Sequence, residues 1–337
     1  MPSSGPLTTE PVIIGDLARV ESALRTSVEA EDPFLTEVVS HLMNAGGKRG
    51  RPLFAVAAGA CVHHDLTPAT DNVIMGGVAV ELVHLGSLYH DDVMDEADTR
   101  RTVQSVNARW DNLTAILAGD YLLAKASEIA ASLGTEVAGL LARTIAHLCE
   151  GQVYELQSTF DPGRTEEAYL RSIGGKTAAL FATASRIGAL VGGLDGTQVD
   201  ALTDFGRGYG MAFQIVDDVL DISATDEQLG KPAGHDLMEG VYTLPVVRCL
   251  AAGGPIAESL REILGRVPTP EQLVMARDMV RSSGMVSGAL DTASDYVENA
   301  CAALERVGPC AATEAMAAQA RSLVDHGRAV AVAVNAA

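Results

Sequence analysis

From about residue 11 onward, apolar residues return every three or four positions, as in VIIGDLARVESAL (12–24) and VIMGGVAVELVHLGSLYH (73–90). That spacing lays an apolar stripe along an α-helix and predicts helices throughout. The alternation that marks a half-buried strand is almost absent, and the Ala-rich, aromatic-poor makeup suits helices packed closely on one another. The fold class is therefore all-α. Gly, Pro and Asp cluster at 44–52, 63–71, 133–136, 160–165, 191–197, 223–236 and 252–256, which predicts the breaks between helices. Helices of twenty residues or more fit between some of these breaks, and no break reads as a domain boundary. Residues 1–10 read as a flexible Pro/Ser/Thr arm and 11–337 as one helical domain.

At 337 residues and 47% hydrophobic, the chain has ample material for a large core. Its net charge of −20 argues against a nucleic-acid or anionic-lipid partner, so an anionic ligand needs a local basic site. Five cysteines (61, 149, 249, 301 and 310) are scattered and lack C-x-x-C spacing, which suggests neither a disulfide framework nor a zinc site and fits a reducing cytoplasm. The N-terminus has no basic region followed by an apolar core, and charges such as Glu81 and Arg186 interrupt the richest apolar stretches. Neither a signal peptide nor a membrane span is expected.

One stretch changes this picture. LYHDDVMDEADTRR (88–101) sets aspartates at 91, 92, 95 and 98 and follows them with Arg100 and Arg101. In a helix over 80–98, Asp91 and Asp95 stand one turn apart on one face, with Asp92 beside them. The residues before them are mainly apolar, so these carboxylates close a largely buried helix. Packed there alone they raise one another's pKa, a cost that a hard cation removes. The same spacing recurs in FQIVDDVLDI (213–222), at Asp217, Asp218 and Asp221. Two carboxylate clusters without His or Cys point to Mg²⁺, whose coordination is completed by substrate phosphate oxygens. The metal would then hold a diphosphate, with Arg100 and Arg101 gripping its remaining oxygens.

With these two motifs, and with GGKRGRP (46–52), ELVHLGSLYH (81–90), GGKTAALF (174–181) and GKPAGHDL (230–237) in that order, the chain resembles the trans-isoprenyl diphosphate synthases, the polyprenyl synthetase family, of the long-chain bacterial type. The resemblance runs from about residue 40 to 250. It implies a single domain of long, mostly antiparallel helices around a central substrate cavity, and a homodimer. It also implies the activity: an allylic diphosphate ionises and its carbocation is attacked by isopentenyl diphosphate. Carried over by motif, Asp91, Asp95 and Asp217 ligate metal (three Mg²⁺ with substrate bound, replaceable by Mn²⁺), with Asp92, Asp218 and Asp221 supporting. Arg100, Lys176 and Lys231 contact the allylic diphosphate, Thr177 and Gln214 lie near the reacting end, and Lys48, Arg51, His84 and Arg101 bind isopentenyl diphosphate without metal. Two departures stand out. RRTVQSV (100–106) lacks the Gly and Pro usual after the arginines, so this loop should be shaped differently, and Val241 replaces a common Lys.

In this family an aromatic residue near positions 86 and 87 acts as a floor that stops growth early. Here Gly86 and Ser87 are small, so the resemblance implies an open tunnel and a long-chain product, one that would reach the membrane without a span. Three alternatives stand beside it: a short-chain (farnesyl or geranylgeranyl) synthase, a class I terpene cyclase, and a non-catalytic partner subunit. Intact aspartates and lysines disfavour the last, and DDVLD with Lys48, Arg51 and His84 disfavours the cyclase.

Overall fold

Six of the seven expected breaks fall where one helix gives way to the next in the computed structural model, which describes residues 5–225 and 233–335, and the seventh, 223–236, lies partly outside the described residues. The helices are α1 (Pro6–Thr9), α2 (Pro11–Ser27), α3 (Pro33–Asn44), α4 (Gly50–Ala60), α5 (Asp71–Met94), α6 (Val106–Arg109), α7 (Asn112–Ser132), α8 (Thr135–Leu156), α9 (Glu166–Ile173), α10 (Ala179–Gly192), α11 (Gly196–Ser223), α12 (His235–Met238), α13 (Leu244–Ala252), α14 (Gly254–Ile263), α15 (Pro270–Ser282), α16 (Met285–Ala303) and α17 (Ala311–Asn335). Their starts are chemical. Thr70 caps α5, Asp111 accepts from the Thr114 N–H at 2.6 Å to open α7, and Asp195 and Gln198 form a capping box for α11.

Helix α5 is the centre. It packs on α4, α7 and α10, while α11 lies against α10, α16 and α17. By length and hydropathy α5 could cross a membrane, yet 72% of that window is buried against other helices, which identifies it as the core helix. Close packing depends on small residues. A Cβ at Gly188 would stand 1.9 Å from the Ala55 carbonyl oxygen, so only glycine lets α10 lie this near α4.

Three expectations change. Helix α5 ends at Met94 and not at 98: Asp95 caps it, its N–H donating to the Asp91 carbonyl at 2.8 Å, and Asp98 falls outside. Beyond it stands the one β-ribbon among the described residues, Thr99–Arg100 against Val103–Gln104, turned by Arg101 (φ 53°) and Thr102 (φ 66°). This ribbon is not among the expected helices, and both its turn residues hold positive φ without glycine, which is strained for β-branched Thr102. Third, the segment expected to be an arm packs against α17 near its end. Leu7 is buried, and its N–H donates to Gln319 Oε1 on α17 at 3.3 Å.

Candidate active site

The two aspartate clusters lie near the basic residues Lys48, Arg51 and Lys176. The first cluster is placed by the last turn of α5. Asp92 is fully buried and accepts from Arg100 Nε at 2.7 Å through Oδ1, while its buried Oδ2 has no hydrogen-bond partner. Burial is the main cause that pushes Asp91 and Asp92 above the usual carboxylate range, and it takes Asp95 to about 6. Lys176 and Arg100 pull Asp91 and Asp95 back only in part.

The second cluster lies near the C-terminus of α11 and divides by role. Asp217 is exposed. Asp218 is buried, accepting from Tyr169 Oη at 2.6 Å and from Gln214 Nε2 at 2.8 Å, and burial pushes it well up. Thr177 Oγ1 in turn donates to Gln214 Oε1 at 2.7 Å. Asp221 receives the backbone N–H groups of His235 (3.2 Å) and Asp236 (3.1 Å), so it caps α12. Asp221 therefore ties the start of α12 to the end of α11.

Lys176 stands between the clusters. It sits in a π-helical turn (Gly174–Ala178), a bulge that often marks functional sites. Its Nζ pairs with Glu155 on α8, and Asp91 and Asp95 also act on it. Lys231 lies outside the described residues.

Behind the arginine pair is a cavity of about 420 Å³ lined by Lys48, Arg49, Arg51, Arg101, His84 and the single acid Glu81. Arg49 is spent on structure, pairing with Glu81 at 3.0 Å and Glu21 at 2.8 Å. Arg51 is half-buried over the Phe181 ring (5.0 Å), its buried Nε has no partner, and desolvation lowers its pKa to about 10. Arg101 donates to the carbonyls of Leu42 (3.2 Å) and Gly46. A Cβ at Gly47 would stand 2.7 Å from Arg101 Nη1, so glycine admits this guanidinium. Burial first and then Arg51, Arg101 and Arg100 hold His84 far below its usual pKa, so it is a neutral imidazole here. The cavity's excess positive charge and the unused Arg51 N–H donor suit an anion. It adjoins the acids, since Asp91 acts on Arg51 and Asp217 on Lys48.

A second cavity, of about 460 Å³, opens below Asp91 and Lys176 between α5, α7 and α8. Ser87 lines it, with Met94, Ile116, Leu148, Val153 and Leu156, and no Phe, Tyr or Trp does. Gly86 does not line it. A Cβ there would meet the Gly119 carbonyl at 3.0 Å and Leu123 Cγ at 3.2 Å, so Gly86 serves the approach of α5 to α7 and the expectation that it faces the tunnel is corrected. Sequence reasoning also missed Glu155, Tyr169 and Glu81 as partners. Only Glu81 left a signal, a lone acid in an apolar run.

The carboxylates suit a divalent cation: all donors are hard oxygens, one buried acceptor is unpartnered, and burial makes their charge costly. Among the described residues no group of three or more His, Cys, Asp or Glu side chains stands where it could hold a metal ion by itself. A pH test follows. Asp95 rises from 3.8 to about 6 on folding, so without metal it contributes a stability loss that grows as pH rises through that window and is complete above it. Mg²⁺ with diphosphate should therefore raise the melting temperature strongly at about pH 7.5 and little at about pH 5. Equal gains at both values would remove Asp95 from the site.

Residues 32–279 match the family model described as polyprenyl synthetase. A nonaprenyl diphosphate synthase of Mycobacterium tuberculosis is 40% identical over 287 residues, 84% of each chain. Among solved structures, a decaprenyl diphosphate synthase from Rhodobacter capsulatus superposes with a TM-score of 0.87 at 32% identity, covering 96% of this chain and 98% of that one. A geranylgeranyl pyrophosphate synthase from Corynebacterium glutamicum, complexed with calcium and isoprenyl diphosphate, gives 0.81 at 40% identity, covering 93% and 96%.

Proposed function

The chain belongs to the polyprenyl synthetase family, and from that premise we propose how its residues carry out the elongation. The protein is a trans-prenyltransferase that joins isopentenyl diphosphate to an allylic diphosphate. Asp91, Asp95 and Asp217 would hold divalent metal, as Mg²⁺ and in three ions when substrate is bound, with Mn²⁺ able to substitute. When bound, the metal supplies positive charge to the leaving diphosphate. Arg100 and Lys176, with Lys231, add fixed cations where that charge develops, so they favour the transition state over the ground state. Asp92 and Asp218 hold Arg100 and Gln214 in place through hydrogen bonds of 2.7 and 2.8 Å. Thr177 and Gln214 flank the reacting end.

The observation that carries this reading is a cavity lined by cations standing beside the carboxylate clusters. Isopentenyl diphosphate must bind without ionising, and the cavity of Lys48, Arg51, His84 and Arg101 offers N–H donors with the buried Glu81 as its only acid. A cyclase has no use for such a cavity. Incubation with Mg²⁺, isopentenyl diphosphate and farnesyl or geranylgeranyl diphosphate should release diphosphate and yield elongated products, and absence of condensation with every primer would overturn the assignment. Arg51→Ala should raise the KM for isopentenyl diphosphate by about tenfold or more while moving the allylic KM little. The reverse pattern would exchange the two sites.

The product is long-chain, in keeping with an apolar cavity that lacks an aromatic floor beside Ser87. The likeness to a geranylgeranyl synthase at 40% identity keeps a short-chain product as the second reading. We further propose a homodimer. Leu113, Leu117, Val153 and Leu156 on α7 and α8 are each more than 45% exposed, an apolar face that a second copy would cover. A monomer by analytical ultracentrifugation at micromolar concentration would remove that proposal. The free cysteines support a cytoplasmic location.

A further inference from the structure

Arg164 stands in the turn before α9. Its side chain is only 6% exposed, and two of its three nitrogens, Nε and Nη2, are buried without a hydrogen-bond partner. The third, Nη1, donates to the Tyr242 carbonyl at 3.0 Å, and the guanidinium lies 5.5 Å from the centre of the Tyr169 ring. That ring's hydroxyl is the donor to Asp218 at 2.6 Å.

Arg164 lines a small cavity of about 110 Å³ together with Asp218, Asp236, Glu155, Glu239 and Lys176. Lys176 is already engaged with Glu155, and Glu239 lies 2.9 Å from His235. Burial pulls Arg164 below its ordinary pKa, while Glu155, Tyr169, Asp218 and Asp236 hold it up. A buried guanidinium that forgoes two hydrogen bonds is costly, and a role in packing alone would be served by an apolar side chain. What it supplies is charge. Val241 lines the same cavity and brings none.

We infer that Arg164 is a positioning residue of the second aspartate cluster, a fixed cation behind Asp218 and Asp236 that lowers the negative potential the diphosphate must enter. The inference rests on the proposed site. It makes a signed claim: removing one buried positive charge favours a divalent cation and disfavours a diphosphate, whereas losing a merely structural prop weakens both.

The test uses the full-length protein at about pH 8. Mn²⁺ alone is titrated by loss of its free-ion electron paramagnetic resonance signal, and inorganic diphosphate is titrated calorimetrically in saturating Mg²⁺. In Arg164→Met, Mn²⁺ should bind about threefold or more tighter and diphosphate about tenfold weaker, with Arg164→Lys restoring both. Arg164→Gln, which can still donate to the Tyr242 carbonyl, carries the test if Arg164→Met does not fold. Both affinities weakening together, or neither moving by more than about twofold, would overturn the inference. If the unsubstituted protein binds no diphosphate with Mg²⁺, or if Asp91→Ala binds it as well as the unsubstituted protein does, the proposed site fails instead, and the two failures are distinct.

Discussion

Asp91→Ala should lower turnover by at least about a thousandfold while leaving the protein folded and, without metal, no less heat-stable than before. The two effects share one cause. Asp91 ends the buried helix α5, where burial raises its pKa, so the folded state holds a carboxylate that would be better solvated when unfolded. Truncation removes that cost and with it a ligand position. Asp217→Ala should be equally inactive, because its exposed carboxylate holds the matching place in the second cluster. Asp221→Ala is the contrast: its carboxylate caps α12 through two backbone N–H groups, so it should lose about 1–2 kcal/mol of stability as well as activity. Helical circular dichroism, melting curves and single-turnover rates separate the three. Near-normal turnover in Asp91→Ala would discard the metal assignment.

That division within DDVLD shows where the sequence is legible. Period alone places Asp217, Asp218 and Asp221 near the end of a helix, and the repeat of the pattern after Asp91 singles out both clusters, because local spacing fixes what a helix presents on each face. Which aspartate stays exposed and which serves a loop depends on chain elsewhere. Asp218 is held by Tyr169, and Asp221 by the segment that starts α12. The same limit explains Arg49 and Arg51, two residues apart in GGKRGRP. Arg49 is consumed by Glu21 and Glu81 while Arg51 keeps an unused donor, and no local rule orders them. The break pattern was legible because Gly, Pro and Asp act locally. The end of α5 at Met94 was not, because EADTRR holds no Gly or Pro and its ribbon turns through two strained non-glycine residues.

Gly86 and Ser87 are neighbours with opposite consequences, and they carry the second large effect. Ser87 is half-buried, lines the cavity of about 460 Å³, and lies one helical turn before Asp91, about 6 Å back along the axis at about 1.5 Å per residue. A phenyl ring there would fill the space that an elongating chain enters soon after the metal site. Ser87→Phe should therefore cut the main product from long-chain to farnesyl or geranylgeranyl diphosphate, while the first condensation stays within a few-fold of normal because neither diphosphate site is touched. Gly86→Tyr should do something else. Its side chain would be driven against the Gly119 carbonyl and Leu123, forcing α5 from α7 at a cost of about 1–3 kcal/mol or more, with lower solubility and melting temperature. Product sizing by reversed-phase chromatography, beside melting curves for both variants, separates a floor from a packing defect. A folded, active Ser87→Phe enzyme whose product length is unchanged would place the floor elsewhere and take away the main support for a length set beside Asp91.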